Sequence, residues 1–222
     1  MKNVKNRSII FLILMFIVVI LILIIYFICY INGRGESKYD NSQIIDSKEG
    51  MITNVNGIAV DNNRNVYLGV GGKINVYNSS AQFIHSYLIN TAGSYSFTID
   101  KNQQLIISDV RGERILKYKL DGNYITKEDD YNLVKGEEID RNSDKFITTN
   151  GEKYKLSNTL FFTKIYGYDQ EGKLIFEYSA PLWNGFLRLS LLISIIMLFI
   201  SFFIAVKVNG TKVGWGYKII FK

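Results

Sequence analysis

Cysteine, proline and histidine are almost missing from this chain: its 222 residues hold one of each, Cys29, Pro181 and His85. A single cysteine excludes an internal disulfide, so any folded region must be held by its own apolar core. A single histidine leaves one candidate for imidazole chemistry. His85 follows the apolar segment Gln82-Phe-Ile, and no serine, cysteine or lysine stands in a recognisable nucleophile motif, so it reads as a strand-end or rim residue. Helical periodicity is also lacking: no stretch between Gly33 and Pro181 sustains an apolar repeat of 3.6 residues. The run Gly69-Val-Gly-Gly72 is no phosphate loop, because no helical pattern follows it; it reads as a hairpin turn.

What the chain has in excess is hydrocarbon at its two ends. Ile9 to Ile31 is an uncharged run of 23 residues, roughly 34 Å of helix against a hydrocarbon core of about 30 Å. Leu189 to Val206 is a second run of 18 residues, about 27 Å, lengthened through Phe186 and Leu187 if Arg188 snorkels to the interface. Both are read as transmembrane helices, over 9–31 and 186–206. The first is too long for the apolar part of a cleaved signal, no small-x-small site follows it, and Ile28 before Cys29 does not fit a lipoprotein signal, so it is read as a retained anchor. Cys29 itself is then a small apolar residue near the outer boundary.

Charge sets the orientation. All 20 acidic residues fall between Glu36 and Glu177, whereas Lys2, Lys5, Arg7, Arg188, Lys207, Lys212, Lys218 and Lys222 lie outside with no acid among them. Positive charge in short flanks marks the cytoplasmic side. The expectation is a two-pass protein of a cell membrane: a basic cytoplasmic N-terminus over 1–8, an extracytoplasmic domain over 33–181 and a cytoplasmic basic and aromatic tail over 207–222. The net charge of +6 is thereby assigned to topology and anionic headgroups rather than to nucleic acid.

The segment between the runs is large enough for one domain, and its pattern is strand and turn. Asn65-Val-Tyr-Leu, Lys73-Ile-Asn-Val-Tyr, Gln104-Leu-Ile-Ile-Ser and Lys173-Leu-Ile-Phe-Glu-Tyr are separated by Asn, Asp, Gly and Ser clusters. The pattern repeats. Gly57-Ile-Ala-Val-Asp61, Ser96-Phe-Thr-Ile-Asp100 and Glu137-Glu-Ile-Asp140 open three copies, over about 52–90, 91–130 and 131–178, with the aspartates 39 and 40 residues apart. About 40 residues carrying four short strands is one blade of a β-propeller.

The second copy, Phe97 to Ile125, resembles the NHL repeat of six-bladed propellers: Asp100 stands at the first turn, Asp109 after the second strand, Arg114 at the start of the third and Asp121-Gly122 at the turn before the fourth. The first copy has Gly69 or Val70 in place of the second aspartate and Lys73 in place of the arginine. The third is closed by Asp169-Gln-Glu-Gly172 and is read as carrying an insertion around Gly151 to Thr163. The resemblance implies a membrane-anchored all-β protein with a partial, three-blade propeller between two helices. Asp61, Asp100, Asp109, Arg114, Asp121, Gly122, Asp140 and Gly172 define its repeats structurally.

Closed propellers have 4 to 8 blades, so three leave raw ends. Those ends imply a homo-oligomer that completes the propeller, a protein or peptide partner, or a further strand from within Ser37 to Ile45. Relatives of the fold can hold a divalent cation through channel carboxylates. Here Asp140-Arg-Asn-Ser-Asp144 lacks the turn glycine and the glutamate of a calcium loop, and Asp61, Asp100 and Asp140 recur in turn register, so no metal or cofactor is assigned. Glu128-Asp-Asp130 and Glu137-Glu138 read as solvated loop charges. Tyrosines 67, 77, 118, 154, 166, 168 and 178 read as strand residues filling the space between blades. The function expected is a non-catalytic binding or scaffolding module for a protein, peptide or envelope ligand. Two alternatives stand beside it: an accessory subunit of a larger membrane complex, such as a transporter or envelope assembly, and a propeller-type metal-dependent hydrolase.

Overall fold

The computed structural model describes residues 14, 16–28, 43–45, 55–89, 91, 95–109, 111–128, 144–148, 150–213 and 216–219. The chain divides into two compact units, Cys29–Asn184 and a second made of Met1–Ile28 with Gly185–Lys222.

Cys29–Asn184 contains three antiparallel meanders. In the first, β2 (Val55–Val60), β3 (Val66–Val70), β4 (Lys73–Tyr77) and β5 (Phe83–Leu88) pair in chain order, and β1 (Gln43–Ile45) adds a fifth strand beside β5. That added strand lies inside the segment marked for one in the sequence. The second sheet is β6 (Ser96–Ile99), β7 (Gln104–Asp109), β8 (Arg114–Lys119) and β9 (Tyr124–Glu128). The third is β10 (Lys145–Ile147), β11 (Lys153–Asn158), β12 (Thr163–Tyr168) and β13 (Leu174–Ser179). Three four-stranded meanders make a propeller-like domain.

One turn, used six times, builds all three. Residues Asp61–Asn65, Asn78–Gln82, Asp100–Gln104, Lys119–Asn123, Thr148–Glu152 and Asp169–Lys173 each close through the same two backbone hydrogen bonds. The fourth residue of each lies in the left-handed region: Arg64, Ala81, Gln103, Gly122, Gly151 and Gly172. This is a type I turn followed by a bulge residue, the usual three-residue hairpin loop. In five of the six, the opening side chain accepts the N–H four residues on: Asp61 from Asn65, Asn78 from Gln82, Asp100 from Gln104, Thr148 from Glu152 and Asp169 from Lys173.

That list corrects the reading of the third repeat. Its turn residue is Thr148, not Asp140, because a threonine hydroxyl makes the same bond as the carboxylate, at 3.1 Å. The stretch read as an insertion is β11 itself, paired along its whole length with β12. Asp140 lies outside the described residues, as do Asp129, Asp130, Glu137 and Glu138.

The sheets do not follow chain order in space. One apolar cluster joins Ala59, Tyr67, Ile74, Val76 and Tyr87 of the first sheet to Phe97, Leu105, Ile107, Leu116 and Tyr118 of the second. Another joins Ile58, Val60, Val66, Leu68 and Tyr77 of the first to Tyr154, Ile165, Phe176 and Tyr178 of the third. The first sheet is therefore the middle layer, buried on both faces, and β2 lies against β6 on one side and β10 and β11 on the other. Phe146 of β10 touches both clusters. Gly69 permits the closer contact: a Cβ there would stand 2.6 Å from the Phe97 ring.

In the second unit, helix α1 runs over Phe16–Ile28, shorter than a span needs; the rest of the 9–31 run, apart from Leu14, lies outside the described residues. Helix α2, Leu182–Asn209, extends the second run at both ends, and within it Leu182–Ile200 is long and apolar enough to cross a membrane, alone among the described helices. The basic and aromatic tail after it holds a hairpin of β14 (Gly210–Val213) and β15 (Gly216–Ile219).

Candidate functional site

Strand alternation gives the third sheet two unlike faces. Tyr154, Leu156, Ile165, Phe176 and Tyr178 point toward the first sheet and pack with it. The paired positions on the other face are Lys145 with Lys155, Lys155 with Tyr166 and Tyr166 with Glu177; beside them run Ile147, Lys153 and Tyr168, then Ser157, Lys164 and Ser179. Lys145, Ile147, Lys153, Lys155 and Glu177 are exposed, and Lys164, Tyr166 and Tyr168 are half-buried. The Lys164 ammonium lies 6.0 Å from the Tyr166 ring centre and 6.0 Å from that of Phe162, within cation–π range. Four lysines and two tyrosines against one carboxylate make a cationic, aromatic sheet face.

Behind it, the sheets are tied by a polar belt. The Arg64 guanidinium meets the Glu152 carboxylate at 2.5 Å, and Tyr154 donates its hydroxyl to the same carboxylate at 3.3 Å. Burial, with the Glu152 charge beside it, pushes the Tyr154 phenol up to about 12. Tyr77 donates to the Tyr178 hydroxyl at 3.1 Å, and the two rings are tilted at 4.3 Å between centres. The second sheet is tied in the same manner, since Gln103 accepts the Asn62 N–H at 2.7 Å and the Tyr87 hydroxyl donates to the Leu120 carbonyl. Tyr87 is held neutral, up to about 12, mainly by burial.

Each residue marked as repeat-defining, where described, sits in a turn or strand end. Asp61 is buried and accepts from Asn63 N, Asn65 N, Asn65 Nδ2 and the Tyr67 hydroxyl. Asp100 accepts from Asn102 N and Gln104 N. Asp109, fully buried, accepts from Gly112 N at 3.0 Å and Arg114 Nε at 3.1 Å. Asp121 accepts the Asn123 N–H, and these Asn123 bonds hold its carboxyl below the usual range. Gly122 seats Ile44 of β1 where a Cβ would clash at 2.8 Å, while Gly172 faces open space. These residues are not gathered at one place. In the first sheet Gly71-Gly72 replaces the Asp109–Arg114 pair with a tighter turn, and in the third Thr163 donates to Asn158 across the equivalent turn. His85 lies in β5 with its ring edge-on to Tyr87.

A cationic face with two tyrosines can attract anionic groups and give them ring surface to pack on. The buried carboxylates Asp61, Asp109 and Glu152 are each engaged by structural donors, as the bonds above set out. Among the described residues no three His, Cys, Asp or Glu side chains come together as a metal site. The lysine face escaped the sequence reading because its lysines and tyrosines come from three strands, β10, β11 and β12. The i, i+2 spacing of Lys153 and Lys155 and of Tyr166 and Tyr168 was its only signal.

No protein-family model matches the chain, and no curated protein does. Among solved structures, a streptogramin B lyase is similar over 66% of this chain and 47% of its own, at 13% identity and a TM-score of 0.31. A catalytically inactive virginiamycin B lyase from Staphylococcus aureus with quinupristin is similar over 64% and 50%, at 16% identity and a TM-score of 0.31. A protein of unknown function from Bacteroides caccae is similar over 58% and 46%, at 13% identity and a TM-score of 0.27. The chain spans about half the length of these proteins. At such TM-scores the likeness carries no argument, and the propeller-like description stands on the three meanders themselves.

Proposed function

We propose that this chain is a membrane-anchored binding module, non-catalytic, that holds an acidic segment of a protein partner on the open face of its third sheet. The observation that carries this reading is the lysine and tyrosine face itself. A blade face meant for another blade is apolar, as both faces of the first sheet are; here Lys145, Lys153, Lys155 and Lys164 take the corresponding places. Burying four ammonium groups against a second copy's identical face would oppose like charges and desolvate them, so a partner of opposite sign fits better than a homo-oligomer closing the ring there. Tyrosines amid cations suit recognition, supplying contact area at low entropic cost. Three strands of six residues and one of three, about 4.8 Å apart, offer roughly 340 Å², under half the usual share of one partner in a stable interface, which fits an extended segment.

In this reading α2 anchors the module, the first apolar run provides a second span, both termini are cytoplasmic by the charge rule, and the sheets face outward. The test is titration of the full-length protein in mild detergent with a fluorescent oligoglutamate peptide, by anisotropy, at low and moderate salt. Binding that weakens with salt, and that falls about tenfold or more in Lys153→Glu/Lys155→Glu but not in Lys101→Glu, supports the proposal. Equal binding by the two variants overturns it.

A further inference from the structure

The three turns that join the second and third strands of each sheet share one end of the domain but differ in chemistry. In the first sheet the turn is Gly71-Gly72, and in the second it carries exposed Arg111 and Glu113. In the third it is Leu160-Phe161-Phe162, with 43%, 49% and 49% of each residue exposed. Three consecutive large apolar residues are here held out in a firm loop: Thr159 N donates to Phe162 O at 2.8 Å and Phe162 N to Thr159 Oγ1 at 3.1 Å, and the two phenyl rings lie 6.0 Å apart.

The neighbour of this turn is the strand that leads to α2. Thr163, the next residue after the turn, accepts the Ala180 N–H at 2.9 Å. Only Pro181 separates Ala180 from Leu182, where the apolar helix begins, and Leu182 and Trp183 are themselves exposed. At about 3.4 Å per residue, the turn tip and the helix start each lie within roughly 10 Å of that hydrogen bond. β1 begins at the same end, since Gln43 is paired with Leu88 at the finish of β5.

We infer that Leu160-Phe161-Phe162 is a second membrane contact, a wedge seated in the interfacial layer of the bilayer that α2 crosses. The inference rests on the membrane reading of α2. Aromatic rings at that level, with the Lys164 ammonium near Phe162 to meet headgroup phosphates, are the composition favoured at the water–hydrocarbon boundary. An apolar tip at the turn beside the strand that leads into α2, and small or charged tips at the other two, is what contact with a lipid surface at one sheet predicts.

The experiment uses full-length protein in vesicles of phosphatidylcholine and phosphatidylglycerol, in a Cys29→Ser background. Single cysteines Phe161→Cys, Glu171→Cys and Ile196→Cys carry an environment-sensitive fluorophore. Glu171 is an exposed turn residue at the opposite end of the third sheet, and Ile196 lies inside the apolar window of α2. The result expected is a blue-shifted emission, with loss of intensity on adding spin-labelled lipid, at 161 and 196 and neither at 171. Aqueous emission at 161 with quenching at 196 overturns the wedge and leaves the membrane reading standing, as does equal quenching at 161 and 171. Aqueous emission at 196 overturns the membrane reading, and the wedge with it.

Discussion

Arg64 carries two opposed effects that substitution can separate. Its backbone is left-handed, with φ of 62°, which costs an L-residue about 1 kcal/mol relative to glycine. Its side chain meets Glu152, and the two are 57% and 5% exposed. Breaking a fully buried pair costs about 3–5 kcal/mol and a surface pair under about 1. With one partner more than half in water, the loss here is about 1.5–2 kcal/mol, most of it the cost of leaving the Glu152 carboxylate buried with the Tyr154 hydroxyl. Arg64→Ala therefore loses the pair and keeps the strain, a destabilisation of about 1.5–2 kcal/mol; Arg64→Gly loses both and is destabilised by about 0.5–1 kcal/mol. For a chain of this size that is a drop in midpoint of about 3–8 °C against 1–4 °C. Glu152→Gln should be destabilising alone yet restore stability to Arg64→Ala, because it removes the stranded charge. The assay is thermal unfolding of the full chain in detergent, followed by circular dichroism of the sheet. If Glu152→Gln costs the same in both backgrounds, the pair does not couple the first and third sheets and the reasoning fails.

Three further outcomes follow from the same geometry. Gly69→Ala should destabilise by about 1–3 kcal/mol through overpacking, since its Cβ would meet the Phe97 ring at 2.6 Å. Phe97→Leu should recover part of that loss in the same thermal melt, and a Gly69→Ala protein as stable as the parent would contradict the packing described. Tyr87 and Tyr154 are both pushed up to about 12, whereas an unfolded tyrosine ionises near 10. The unfolded chain thus releases protons that the fold retains, so stability is flat to about pH 9.5 and declines above it, less steeply in Tyr154→Phe; a midpoint unchanged to pH 11 argues against neutral buried phenols. Finally, in intact cells an impermeant maleimide should modify Cys29→Ser/Ser79→Cys directly and Cys29→Ser/Lys212→Cys only after permeabilisation; the reverse order inverts the proposed topology.

The strands and their grouping were legible because turn residues punctuate them: Asp61, Asp100 and Asp169 each open a turn that the sequence marked. The third repeat was misread for a chemical reason. Thr148 does with a hydroxyl what the others do with a carboxylate, so a search for aspartates slid to Asp140, whose spacing of 40 fitted the period by coincidence. The partners across sheets were invisible for a different reason. Arg64 and Glu152, or Tyr77 and Tyr178, meet because the first sheet lies between the other two, an order that periodicity within each repeat does not encode. The cationic face was likewise hidden, since alternation shows that Lys153 and Lys155 share a face but not that β10 and β12 bring Lys145, Tyr166 and Tyr168 alongside.

The left-handed turn residues also give the array a direction. Gln103 extends from the second sheet to the first, and Arg64 from the first to the third. The same position in the third sheet is Gly151, which has no arm to extend. Such a series is a one-way chain of clasps whose last link is blank, on the same sheet whose outer face carries the lysines. Glutamine is accommodated at this turn position in the second sheet, but grafting a fourth blade would need an arm at Gly151, room beside Gln170, and apolar residues in place of the four lysines.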